Sequence, residues 1–214
     1  MPQKTSSFIL PLLDFERVFR TVHGILLNEN CDPLKACLFF GTIGASILNT
    51  HYKLNAIPVV GVVTYNLGEN ASLAFADFEG ATLQSSKSGF HCWVEVENHF
   101  IDFSSPLFPE ILKSKRLPHK CGRKMFQKQL TRVSRTPLEY EAKGSFFCQA
   151  NATLSEQLIH EFLATPIYAD LIKIGTEWYR QPPKKMISTI GIANKYGVAK
   201  PVSLSSIRVE GVWL

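Results

Sequence analysis

The stretch GFHCWVEVENHFIDFSS, residues 89–105, carries a histidine near the start of one extended run and an aspartate near the end of the next. A carboxylate that holds an imidazole lets it act first as a general base and then as an acid. With a thiol in reach, the same pair can activate a nucleophile for attack on an acyl carbonyl. Side chains alternate along a strand, so His91, Trp93 and Glu95 share one face and Cys92, Val94 and Val96 share the apolar other. A two-residue turn at Glu97–Asn98 sets Val96 opposite His99, Val94 opposite Ile101 and Trp93 opposite Asp102. Asp102 then lies diagonal to His91 on the same face, about 7–8 Å away between Cβ atoms. A turn at Asn98–His99 would separate the pair by about 13 Å, and a three-residue loop would send Asp102 to the opposite face.

The chain has five cysteines, Cys31, Cys37, Cys92, Cys121 and Cys148. Their odd number and even scatter make a poor disulfide framework, and with no CxxC pair a structural zinc site has little support. A nucleophilic thiol works best at a helix N-terminus, where unpaired N–H groups favour a thiolate and can bind an oxyanion. Cys37 enters the apolar run KACLFFGTIGASIL, and Cys31 lies at or just outside the same helix if Asp32-Pro33 forms its cap. Cys92 faces the core beside His91, whereas Cys121 and Cys148 have no suitable context. The residues alone leave Cys31 and Cys37 both open.

Several elements must position these groups. Residues 14–28 place Phe15, Val18, Phe19, Val22, Ile25 and Leu26 at helical spacing. Ala36 to Leu48 has too few polar residues for a surface helix and reads as a buried one. AIPVVGVVTYNL, residues 56–67, has the β-branched content of a core strand, and SLAFADF, residues 72–78, follows it after an LGEN turn. SSPLFPEILKS reads as a loop with a short helix, and a second helix is expected from about Arg123 to Val133. Residues 144–151 suggest a strand. Leu154 to Leu163 reads as a helix with Asn151 or Thr153 near its start. Residues 167–180 favour a helix, QPPKK breaks it, and LSSIRVEGVWL alternates like a last strand. The order is that of an α+β domain, an antiparallel sheet packed against a buried N-terminal helix that carries the cysteine. There is no βαβ alternation and no glycine-rich phosphate loop.

At 214 residues the chain reads as a single domain, 1–214, with a core over 31–106, a basic segment over 111–138 and further helices and a strand over 144–214. Apolar residues make up 45% and charged residues 19%, the balance of a globular protein. No apolar run approaches the roughly 20 residues of a membrane-spanning helix. FILPLL is too short for a signal-peptide core. A cytoplasmic protein without a membrane partner is expected, and the N-x-S/T triplets at Asn70 and Asn151 read as chance. The net charge of +5 comes from one place: 111–138 holds nine Lys or Arg and no acid. Without those nine, the 23 basic residues fall to 14 against 18 acidic ones, a net of minus four. A solvated surface is the plain explanation and a site for an anionic ligand the sharper one. With Phe126 as its one aromatic, the segment is a poor nucleic-acid platform.

CLFFGTIGASILNTHYKLNAIPVVGVV followed by HCWVEVENHFIDFSSP resembles the core of the transglutaminase-like superfamily, within the wider papain-like cysteine proteinase fold. The likeness spans about residues 31–106, and the whole chain resembles a small uncharacterised bacterial family of that fold. It selects Cys37 over Cys31, because AIPVVGV begins nineteen residues after Cys37. It implies a thiol-dependent acyl-transfer enzyme, either an amidohydrolase or peptidase or an acyltransferase, acting on a peptide, amide or acyl substrate. Cys37 would be the nucleophile, His91 the base and acid, and Asp102 the orienting carboxylate. Trp93 and Glu95 would flank the site, with the Cys37 N–H as an oxyanion donor. Such chemistry needs no cofactor and no metal. The rival expectation is a non-catalytic binding module of the same fold, holding an anionic partner on its basic surface.

Overall fold

The long apolar strand Ile57–Gly68 (β1) organises the sheet, because its β-branched residues can be buried on both faces. The computed structural model describes residues 8–68, 71–80, 82–137, 142–193 and 196–213. β1 pairs antiparallel with Ala71–Phe75 (β2), with His91–Val96 (β5) and with Phe146–Ala150 (β8). Between β2 and β5 a small two-stranded ribbon forms from Asp77–Glu79 (β3) and Thr82–Gln84 (β4). The sheet continues from β5 to His99–Asp102 (β6) and then to Lys124–Gln129 (β7), both antiparallel. The hairpin Thr189–Ala193 (β9) and Ala199–Ser203 (β10) stands apart, and Gly211–Val212 (β11) runs parallel beside β7. A bridge between Val133 and Phe146, with the Ser134 N–H on the Phe146 carbonyl, brings the chain after β7 onto β8. The sheet therefore curls towards closure around an aromatic interior of Tyr65, Phe100, Phe126 and Phe146.

Helices cover the outer face. Leu12–Asn28 (α1) buries Phe15, Val18, Phe19, Val22, Ile25 and Leu26, the residues at helical spacing. Cys37–Ile47 (α2) is buried along most of its length and continues through a π turn, Leu48–Tyr52. Phe108–Ser114 (α3) follows the β6 strand, and Ala152–Leu163 (α4) and Pro166–Trp178 (α5) complete the layer. Asn151 caps α4 by accepting the Leu154 N–H at 3.0 Å. The architecture is α+β with a mostly antiparallel sheet. Among the described residues no helix is long and apolar enough to cross a membrane.

The basic segment folds differently from expectation. Its cations at 124, 128 and 132 repeat every four residues, which imitates a helical stripe, yet residues 124–129 form β7. Pairing with β6 decides this: Phe126 enters the aromatic interior, and Gln127 on the other face bonds the Leu10 backbone through both ends of its amide. Lys128 is buried, and Arg123 pairs with Glu110. Lys113, Lys115, Arg116 and Lys120 are exposed on the end of α3 and the loop after it. The β9–β10 hairpin was not anticipated. Residues 69–70 of the LGEN turn, including Asn70, and Leu138 lie outside the described residues.

Gly61 is where β1 faces two partners, His91 of β5 and Ala150 of β8. A Cβ there would overlap the Gln149 carbonyl oxygen and press on the Ala150 Cα. Gly61→Ala should therefore destabilise the protein by about 1–3 kcal/mol in denaturant unfolding. Gly191→Ala, where nothing lies within 4 Å of the new atom, should stay within about 0.5 kcal/mol.

Candidate active site

The β5–β6 hairpin uses the two-residue turn Glu97–Asn98, and both turn residues have positive φ, 45° and 63°. That is the backbone of a tight hairpin whose twist matches its strands. Val96 pairs with His99 and Val94 with Ile101, so Asp102 falls on the His91 face. The two side chains meet: His91 Nε2 and Asp102 Oδ2 are 2.9 Å apart.

Asp102 has no solvent exposure and is enclosed by donors. The Tyr65 hydroxyl donates to Oδ2 at 2.6 Å, while the Ser104 N–H and hydroxyl donate to Oδ1 at 2.8 and 2.7 Å. Burial alone would raise this carboxyl, but the charge and hydrogen bond of His91, helped by Tyr65 and Ser104, hold it below its ordinary range. His91 is 1% exposed, and the Phe75 ring stacks on it with centroids 4.3 Å apart. Desolvation pushes its proton affinity down. Asp102, and then Cys37, outweigh that and leave it raised. Tyr65 is pushed up by burial and by the adjacent carboxylate, so it remains a neutral donor.

Cys37 is the first residue of α2 and is half-buried. No side chain caps the helix. The Phe39 and Phe40 N–H groups both bond the Ala36 carbonyl, so the N–H groups of Cys37 and Leu38 have no intrahelical acceptor. With Nε2 engaged by Asp102, the nitrogen left for Cys37 is Nδ1, which is buried and forms no hydrogen bond of ordinary geometry. Cys37 lies close enough to help raise the proton affinity of the ring.

The other candidates separate from this cluster. Cys31 sits between α1 and the turn Pro33–Lys35, with its sulfur 3.8 Å from the Glu29 carbonyl oxygen. Burial raises the Cys92 thiol well above its usual value, with the charge of Cys37 adding to it. Burial also pushes Cys121 up to about 11 and Cys148 up to about 12. Trp93 gives its indole N–H to Glu95 Oε1 at 2.9 Å and stacks on Phe100. That donor is spent and a carboxylate repels an oxyanion, so the pair serves the interior and supplies no oxyanion contact. Tyr65 and Phe75 were missed in the sequence, as was the support that Ser104 gives Asp102. A tyrosine inside an apolar strand needs a polar partner, and Asp-x-Ser favours a local turn; those were the available signals.

Among the described residues no group of three or more His, Cys, Asp or Glu is placed to hold a metal. A cavity of about 770 Å³ lined by Ile167, Asp170, Ile174, Glu177 and Ile192, among others, touches none of Cys37, His91 and Asp102.

The buried pair makes stability depend on pH in a definite sense. A lowered carboxyl stabilises the fold above its unfolded pKa of about 4, and a raised imidazole stabilises it below its unfolded pKa of about 6.5. The stability gap between the wild type and Asp102→Asn should thus be widest between about pH 4 and 6.5. It should narrow on the acid side as Asp102 protonates, and on the alkaline side as His91 loses its proton. Urea unfolding across this range measures it, and a flat gap would contradict the ion pair.

A solved structure described as the crystal structure of genomics APC5867 is similar to this chain, with 28% identity and a TM-score of 0.87. The alignment covers 98% of this chain and all of the other. No curated protein matches. A family model matches residues 11–213, and the chain belongs to that family, described as a protein of unknown function, DUF2026.

Proposed function

We propose that this protein is a thiol-dependent acyl-transfer enzyme of the transglutaminase-like, papain-like type, with Cys37, His91 and Asp102 as its catalytic residues. The observation that carries the reading is the His91–Asp102 bond on Nε2, which leaves Nδ1 to a cysteine at an uncapped helix start. Cys37 lies more than fifty residues before the hairpin that joins His91 to Asp102, so its approach to the ring is a product of the fold and not of local sequence. A buried carboxylate is costly unless it serves or is served by its neighbours.

In the proposed reaction the attacking form is a Cys37 thiolate paired with a His91 imidazolium, and the raised proton affinity of His91 supports the cationic partner. The first proton transfer is then donation. Cys37 Sγ attacks the acyl carbonyl carbon, a C–S bond forms, and the carbonyl electron pair moves to oxygen. The N–H groups of Cys37 and Leu38 are the donors positioned for that oxyanion. Collapse breaks the bond to the amine or alcohol, which leaves with the proton from His91. The neutral imidazole next takes a proton from water or an acceptor amine. The resulting attack releases the product and returns Sγ as thiolate. Asp102 keeps the ring oriented and stabilises its charge throughout.

Iodoacetamide at mildly acidic pH should alkylate Cys37 faster than Cys31, Cys92, Cys121 or Cys148, as read by peptide mass spectrometry. His91→Ala should slow Cys37 labelling by about tenfold or more through loss of the imidazolium, and Asp102→Asn should slow it less. Labelling that is uniform across the thiols, or unchanged in His91→Ala, would leave a non-catalytic binding module as the reading.

A further inference from the structure

Cys37 has apolar neighbours. It packs with Leu38, Phe90 and Ile159 against a small buried cluster of Val60, Cys92, Leu154 and Leu158, separate from the main core. Leu38 directly follows the thiol and Phe90 directly precedes His91, while Ile159 comes from α4. All three are half-buried, as Cys37 is, so each keeps part of its apolar surface open to solvent.

The side chains that pack on this cluster beside Cys37, namely Leu38, Phe90 and Ile159, are all hydrocarbon. An ionised group set against them would lose water and gain no partner among them, which is unfavourable.

The wall is also held in place before any ligand arrives. The Ser155 hydroxyl accepts the Val60 N–H at 2.8 Å and donates to the Val60 carbonyl at 3.0 Å, fixing α4 to β1. The segment leading into Phe90 is tied down by Asn151 Nδ2 on Ser85 at 3.1 Å and by the Ser88 hydroxyl on Asp77 at 3.0 Å. Lys87 reaches across to Glu161 of α4 at 2.9 Å, which ties the segment before Phe90 to the helix that carries Ile159.

We infer that Leu38, Phe90 and Ile159 form the subsite for the acyl side of the substrate, and that this side is an uncharged, apolar chain or side chain. The inference rests on the thiol-enzyme reading above and gives it a substrate class.

Alkylation with matched reagents tests it without a known substrate. Cys37 labelling would be compared for iodoacetamide, N-hexyl iodoacetamide and 6-(iodoacetamido)hexanoate, each rate divided by that of free glutathione. The hexyl reagent should be favoured at Cys37 by about tenfold, as burial of a few methylenes allows, and the carboxylated chain should lose that preference. Ile159→Ser, a half-exposed change tolerated by the fold, should remove most of the preference, and Phe90→Leu should keep it. Equal normalised rates for all three reagents, or equal preference for the charged chain, would overturn the subsite. So would a hexyl preference that survives both Ile159→Ser and Phe90→Ser, with thermal unfolding confirming that each variant folds. Failure of the enzyme reading shows elsewhere, as iodoacetamide labelling indifferent to His91→Ala.

Discussion

A carboxylate with no exposure to water must be met by donors from the protein, and Asp102 draws them from three separate places. Tyr65 comes from the middle of β1, His91 from the start of β5, and Ser104 from the turn after β6. Removing one ion from water costs several kcal/mol even after relaxation. Hydrogen bonds to a charged group return about 1.5–3 kcal/mol each, so four of them are of the size needed. The consequence is mutual register. If β5 slipped by one residue against β1 or β6, His91 would turn to the α2 side and Asp102 would be left a donor short. The carboxylate and its donors thus act as a check on the pairing of the sheet.

How far the sequence could reveal this differs from residue to residue. The hairpin was legible because strand alternation and a two-residue turn determine which side chains share a face, and the Glu97–Asn98 option proved the one in use. Cys37 at a helix start was legible as one of two thiols; it is the first residue of α2, whereas Cys31 lies before the Pro33–Lys35 turn. Tyr65 and Phe75 were hidden because their contacts with Asp102 and His91 are made across the sheet and leave no local pattern. The 123–133 region misled because its charges carry a helical period, while its partner β6 lies more than twenty residues earlier. Local periodicity lost to tertiary pairing. The β9–β10 hairpin escaped for a related reason: its strands are largely exposed and bury little that a hydrophobic pattern would report.

Bringing the thiol to the histidine requires α2 to lie very close to β5. Small residues at two helical positions make this feasible. At Gly41 a side chain would collide with Cys92 Sγ, and at Gly44 with the Phe103 ring. Glycine lowers helix propensity by about 1 kcal/mol relative to alanine. Here the loss is offset by burial of Phe39, Phe40, Ile43 and Ile47. Cys92 reads naturally in this light. Its sulfur fills the space over Gly41, and its proton is held by burial, so it packs the helix against the strand without competing as a nucleophile.

The two halves of the site differ in their access to water, and that difference has chemical consequences. His91 and Asp102 are enclosed, whereas Cys37 is half-open at the end of α2. Charges inside such an interior interact strongly because little solvent screens them, so an imidazolium there depends first on the Asp102 carboxylate. Tyr65 cannot supply the counter-charge, since burial and Asp102 keep it protonated. Proton traffic from His91 is confined to the Nδ1 side, because Asp102 occupies Nε2 and Phe75 covers a ring face. In the proposed reaction, a leaving group protonated by His91 would therefore arrive beside Cys37, next to the side chains of Leu38, Phe90 and Ile159 that pack on the same small cluster. The acyl side and the leaving group would then share one apolar neighbourhood, because the only ring nitrogen left to move a proton is the one on the thiol's side.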